Sequence, residues 1–131
     1  MSMGTVKTPR ILLVEDNPAN LLVAGILLER LGYAYDTAED GEEAVKAFET
    51  GAYDIILMDL QMPVMDGYEA TRRIRQYERI SRNTPVKIVA LTAHALSGDR
   101  DACLAAGMDD YMSKPFKPDE LQAKLDELTS V

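Results

Sequence analysis

The sequence predicts an α/β fold in which helices cover both faces of a parallel sheet. Five short β-type runs alternate with five stretches of helical periodicity, which is the pattern of βαβ units rather than of hairpins. Three of those runs, beginning at Ile11, Ile55 and Lys87, are apolar almost throughout, as strands buried on both faces are. The 131 residues hold one such sheet, and no repeat, low-complexity tract or interdomain linker divides them.

Residues 1–9 are small and polar and read as a flexible lead-in, leaving residues 10–131 for the folded domain. The first strand is Ile11–Val14. Asn17 before Pro18 gives a cap and a first-turn proline, and Gly32 ends that helix after Leu21, Ile26, Leu27 and Leu31. A second strand is predicted over 34–37. Asp40 and Gly51 then bracket a second helix with Ala44, Val45 and Phe48 as its apolar stripe. The third strand spans 55–58, and the helix after it begins near Asp66 to Tyr68 and runs through Ala70 and Ile74 to about Ile80. A fourth strand over 87–91 leads to a helix that includes Ala102, Leu104 and Ala105 and is closed by Gly107. The last strand covers 111–113. Pro118 opens a fifth helix with Leu121, Leu125 and Leu128 facing inward.

Composition narrows the function. With 47% hydrophobic and 27% charged residues the chain is that of an ordinary globular protein. Its apolar runs are too short to span a bilayer and residues 1–10 lack the apolar segment of a signal peptide, so the expected location is cytoplasmic. Cys103 is the single cysteine, which excludes a disulfide framework and a Cys-rich zinc site and leaves it as a small apolar helix residue. The net charge of −8, from 14 basic and 22 acidic residues, disfavours direct binding of nucleic acid or insertion into an anionic membrane. A metal ion or a basic partner suits it better.

In a doubly wound sheet, ligands bind beyond the carboxyl ends of the central strands. Here those positions carry Glu15 and Asp16 after the first strand, Asp59 after the third, Thr92 after the fourth and Lys114 after the fifth. Taken singly, each reads as a helix cap, a strand end or a solvated charge. Together they bring three carboxylates to one edge. Two unit charges about 4 Å apart at an effective dielectric of about 20 interact with roughly 4 kcal/mol, so the cluster calls for a cation. All-oxygen ligands completed by water match Mg²⁺ or Mn²⁺ better than zinc or copper.

The blocks Val14-Glu15-Asp16-Asn17, Met58-Asp59-Leu60-Gln61-Met62-Pro63-Val64-Met65-Asp66-Gly67, Ala90-Leu91-Thr92-Ala93 and Ser113-Lys114-Pro115-Phe116 resemble the signatures of response-regulator receiver domains, in order and over about residues 10–128. The resemblance implies a flavodoxin-like (βα)5 three-layer sandwich with strand order 2-1-3-4-5. It implies a two-component or phosphorelay module in which Asp59 takes a phosphoryl group from a phosphohistidine on a histidine kinase or histidine phosphotransfer protein, forming an aspartyl phosphate. Asp16, Asp59 and the backbone carbonyl of Gln61 would bind Mg²⁺ (or Mn²⁺), with Glu15 acting through metal-bound water. Lys114 would place its cation on the phosphoryl oxygens, aimed by a cis peptide before Pro115.

The same resemblance makes Thr92 and Tyr111 a switch, the hydroxyl closing on the phosphoryl group and the ring filling the space it leaves. A downstream protein target would read the surface of the fourth helix, last strand and fifth helix. Such a module catalyses its own phosphorylation and dephosphorylation and is not a conventional enzyme. His94 and Gln61 would tune the access of water. Glu15 stands where many receivers have Asp. The blocks around Asp59 and Thr92 resemble receivers of hybrid histidine kinases and phosphorelays, with a stand-alone regulator as the alternative.

Other readings fit less well. A haloacid-dehalogenase-type phosphatase needs a second Asp two residues after the nucleophile, where this chain has Gln61. A flavin mononucleotide binder wants a Ser/Thr-rich loop after the first strand, where Glu15 and Asp16 would repel a phosphate. A receiver that only docks proteins, without phosphorylation, is opposed by the full set of chemical residues.

Overall fold

The computed structural model describes residues 9–51, 53–60, 62, 65–81, 85–92, 97–114 and 116–129, with 97–100 described by their backbone alone. Five strands, β1 (Ile11–Val14), β2 (Tyr35–Ala38), β3 (Ile55–Asp59), β4 (Lys87–Thr92) and β5 (Asp110–Ser113), form one parallel sheet in the order β2-β1-β3-β4-β5. This is the predicted flavodoxin-like order. The strands alternate with α1 (Pro18–Arg30), α2 (Gly41–Thr50), α3 (Gly67–Ser81), α4 (Ser97–Ala106) and α5 (Pro118–Thr129). Apart from Pro9, the predicted lead-in lies outside the described residues.

The continuous apolar runs have a simple cause. Successive side chains of a strand point to opposite faces, and here each face has its own core. Leu12, Val14, Ile56, Met58, Ile88 and Ala90 pack with Ala44, Phe48, Ala70, Ile74 and Cys103 beneath α2, α3 and α4. Ile11, Leu13, Ile55, Leu57, Val89 and Leu91 pack with Ala24, Leu28, Leu121 and Leu125 beneath α1 and α5.

The helix ends follow their punctuation. Asn17 accepts the N–H groups of Ala19 and Asn20, Asp40 accepts that of Glu43, and Asp66 that of Glu69. Gly32 and Gly107 adopt positive φ (89° and 106°) just past α1 and α4, where Tyr33 N–H reaches Leu28 O and Met108 N–H reaches Cys103 O.

Four strands differ by one residue from the expected bounds: β2 is shifted, β3 and β4 run on to Asp59 and Thr92, and β5 starts at Asp110. β2 starts one residue later than predicted, because its ladder with β1 pairs Ile11 with Tyr35 and Val14 with Ala38. On α1, Ala24 and Leu28 carry the buried face and Ile26 is 41% exposed. Among the described side chains of α4, Cys103 and Ala106 are buried and Leu104 is exposed.

Candidate functional site

The carboxyl edge of the sheet is assembled by the strand ends. Glu15 stays on the ladder one residue beyond β1 through its N–H to Ala38 O (3.0 Å), and the cap at Asn17 turns the chain immediately into α1. Asp59 is the last residue of β3, pairs with Leu91 of β4, and is followed by Leu60 N–H to Leu91 O (3.2 Å). Thr92 ends β4, and its carbonyl accepts the N–H of Lys114 (2.7 Å), which places the lysine at the same edge.

Oxygens of Glu15, Asp16 and Asp59 lie within 4.8 Å of one another. Glu15 and Asp59 are buried, whereas Asp16 is exposed at the mouth. Lys114 Nζ donates to Glu15 Oε1 at 2.7 Å and lies 3.3 Å from Asp59 Oδ1. Burial pushes the Glu15 carboxyl up, but hydrogen bonds from Lys114 and with Asp59, the lysine charge and the Asn17 N–H together hold it below the ordinary carboxylate value. Burial disfavours the charged Lys114, and its two carboxylate partners more than offset this and raise it.

Three carboxylates against one ammonium leave two negative charges, and every donor atom is a carboxylate oxygen. That set fits a hard divalent cation such as Mg²⁺. The edge opens into a cleft of about 620 Å³ that runs from Asp16, Asp59 and Lys114 to Val23 and Leu27 of α1 and to Phe116.

Thr92 and Tyr111 are also brought together. Tyr111 pairs with Ala90 and Ser113 with Thr92, so the alternation along the strands puts both residues on the face covered by α2, α3 and α4. Tyr111 is half-buried against that core and Thr92 is buried at the strand end. Gln61, Pro115 and His94 lie outside the described residues, and so does the peptide geometry expected before Pro115. Sequence reasoning missed the cleft wall of Val23, Leu27 and Phe116. A signal was present in α1, which is apolar on more of its circumference than one buried face requires.

No helix of the described residues is long and apolar enough to cross a membrane. The chain is 46% identical over 115 residues to the sensor histidine kinase GacS of Pseudomonas protegens, a match that covers 88% of this chain and 12% of that protein. The chain thus spans about an eighth of that relative's length. Among solved structures, the receiver domain of sensor histidine kinase PA1611 from Pseudomonas aeruginosa, which holds a magnesium ion in its active-site cleft, superposes with a TM-score of 0.83. It shares 51% identity over 94% of this chain and 98% of its own. A chain from the Saccharomyces cerevisiae complex of the phosphotransfer protein Ypd1 with the receiver domain of Ssk1 gives a TM-score of 0.89 and 36% identity, covering 93% of this chain and 89% of that one. Residues 11–126 match the family model for the response regulator receiver domain, and with the sheet order and the carboxylate edge in place, the chain belongs to that family.

Proposed function

We propose that this receiver accepts a phosphoryl group on Asp59, in a Mg²⁺-dependent transfer from a phosphohistidine of a histidine kinase or histidine phosphotransfer protein. The observation that carries the reading is the buried Asp59 carboxylate held between Lys114 and the Glu15–Asp16 pair, open to solvent on the cleft side. Asp16 and Asp59 would hold the ion, with the Gln61 carbonyl as a third protein ligand and Glu15 acting through its water. The bound ion supplies charge neutralisation for the phosphoryl oxygens.

The rest belongs to the chain. Lys114, 3.3 Å from Asp59 Oδ1, faces its carboxylate and gives a point cation to the transferred group. An Asp59 oxygen attacks phosphorus in line as the P–N bond to the donor imidazole breaks, so the protein acts by positioning and electrostatics more than by covalent help. Thr92 closes on the phosphoryl group, and Tyr111 on the same face of the sheet follows it inward, shifting the population of two conformations. The readout surface is α4, β5 and α5, where Lys124 pairs with Asp110 beside Tyr111. The module promotes its own phosphorylation and dephosphorylation without being a conventional enzyme.

The donor's dock is α1. Leu22, Val23 and Ile26 are 64%, 59% and 41% exposed on neighbouring turns, and Val23 continues into the cleft that reaches Asp59. The Ypd1 complex of the yeast relative and the hybrid kinases of similar sequence support a phosphorelay partner.

Intact-mass spectrometry after incubation with acetyl phosphate, with and without Mg²⁺, tests the chemistry. The expected result is one base-labile phosphoryl adduct that requires Mg²⁺ and is absent from Asp59→Asn. No adduct, from this donor or from phosphorylated histidine proteins, would leave a phosphorylation-independent docking module.

A further inference from the structure

The turn from β2 into α2 touches the segment that bears Glu15 and, at Met65, the approach to α3. At one end Ala38 O accepts the N–H of Glu15 (3.0 Å). At the other, Gly41 donates its N–H to Met65 O (3.1 Å), on the segment that returns from Asp59 to α3. That segment is closed in turn by Gly67, whose N–H reaches Leu60 O (3.1 Å). Residues 38–41 thus form a strut between Glu15 and the chain leaving Asp59. Its α2 end is stiffened by Asp40, which accepts the Glu43 N–H, and by Glu43, which accepts that of Glu39.

Gly41 is the point of closest approach. A Cβ built there would lie 2.2 Å from Met65 O and 2.9 Å from its carbonyl carbon. Those are backbone atoms, which cannot swing aside as the tip of a side chain does. Among the described glycines only Gly32 and Gly107 have positive φ, so Gly41 is required for space and not for torsion. Any side chain at this position must either lengthen the strut or displace the segment after Asp59.

We propose that Gly41 is a positioning residue for the carboxylate site. The hydrogen atom in place of a side chain sets the separation between the segment bearing Glu15 and Asp16 and the segment following Asp59. Divalent-cation affinity depends on that separation although Gly41 touches neither ion nor phosphoryl group. The inference rests on the metal reading above and adds a second constraint to it.

The test is calorimetric titration of Mg²⁺ into wild type, Gly41→Ala and Glu42→Ala, with acetyl phosphate labelling rates measured over a range of Mg²⁺ concentrations. Gly41→Ala is expected to raise the Mg²⁺ dissociation constant by about 10-fold to 100-fold, the range seen when groups that orient metal ligands are altered. Its labelling defect should shrink as Mg²⁺ rises, while the exposed neighbour Glu42→Ala behaves as wild type. A folded Gly41→Ala with wild-type Mg²⁺ affinity overturns the inference and leaves the receiver chemistry standing. Wild type that binds no Mg²⁺ overturns the metal reading and this inference with it. Should the variant fail to fold, the Gly41 amide of wild type is followed by NMR during the same titration. It should shift in step with the Asp59 amide while Gly51, at the far end of α2, stays still; an unmoved Gly41 amide refutes the proposal.

Discussion

Lys114 serves two buried carboxylates at once, 2.7 Å from Glu15 and 3.3 Å from Asp59, and so acts as the internal counter-ion of the site. Removing it leaves uncompensated charge behind, at a cost of about 1–3 kcal/mol for partners stranded in this way. Lys114→Ala should therefore lose that much stability in urea unfolding without divalent ions, recover much of it at saturating Mg²⁺, and label poorly from acetyl phosphate. Equal losses with and without Mg²⁺ would show that the lysine and the ion do not share the same carboxylates. At this scale the placement of residues at strand ends was legible: Glu15, Asp16, Asp59 and Thr92 follow or end apolar runs, and Lys114 follows the β-type run 111–113. Gly41 was not legible as part of the site, because its partner is the carbonyl of Met65, which no pattern of side chains reveals.

The elements were found by periodicity, and they went astray where periodicity is weak. α1 reads PANLLVAGILLER, apolar around most of its circumference, so nothing in the sequence separates Ile26 from the truly buried Ala24 and Leu28. β2 reads YDTA and buries only Ala38, so its register was fixed by pairing with β1 and not by its own pattern. Arg75 on α3 escaped notice because its partners are distant in sequence. It donates to Gly107 O, Val86 O, Glu78 and Asp109, all at 2.8 Å, while Glu78 and Asp109 accept the N–H groups of Val86 and Ile88. This ties α3 to the start of β4 and to the turn after α4. Arg75→Met strands the buried Glu78 and should cost about 3–5 kcal/mol by chemical denaturation. Hydrogen exchange at Ile88 and Asp109 should speed up well before the rest of the sheet. A loss spread evenly over all amides would mean that the arginine is a general stabiliser and not a local tie.

At the scale of the molecule, the sheet divides the protein into a side covered by α1 and α5 and a side covered by α2, α3 and α4. The exposed Leu22, Val23 and Ile26 lie on α1, beside the cleft that leads to Asp59. A charge placed in the centre of a docked apolar patch costs a substantial part of its binding energy. Leu22→Glu is thus expected to slow transfer from a phosphorylated histidine phosphotransfer protein by about tenfold or more, equivalent to roughly 1.4 kcal/mol, while acetyl phosphate labels it normally. Unimpaired transfer would move the dock away from α1. The parallel sheet was legible from the alternating elements and doubly buried runs, and the order of its strands from the resemblance to receiver domains. The proposed dock was not, since an exposed leucine on a helix looks like any other until its neighbours are known.

Thr92 and Tyr111 point to the α2–α4 side of the sheet, whereas α1 packs on the opposite side. A reader confined to α4 and Tyr111 therefore stands apart from a donor seated on α1, while one that also uses α5 sits on the donor's side of the sheet. Only the first kind of reader could join a three-body complex in which the message is read while its sender is still attached.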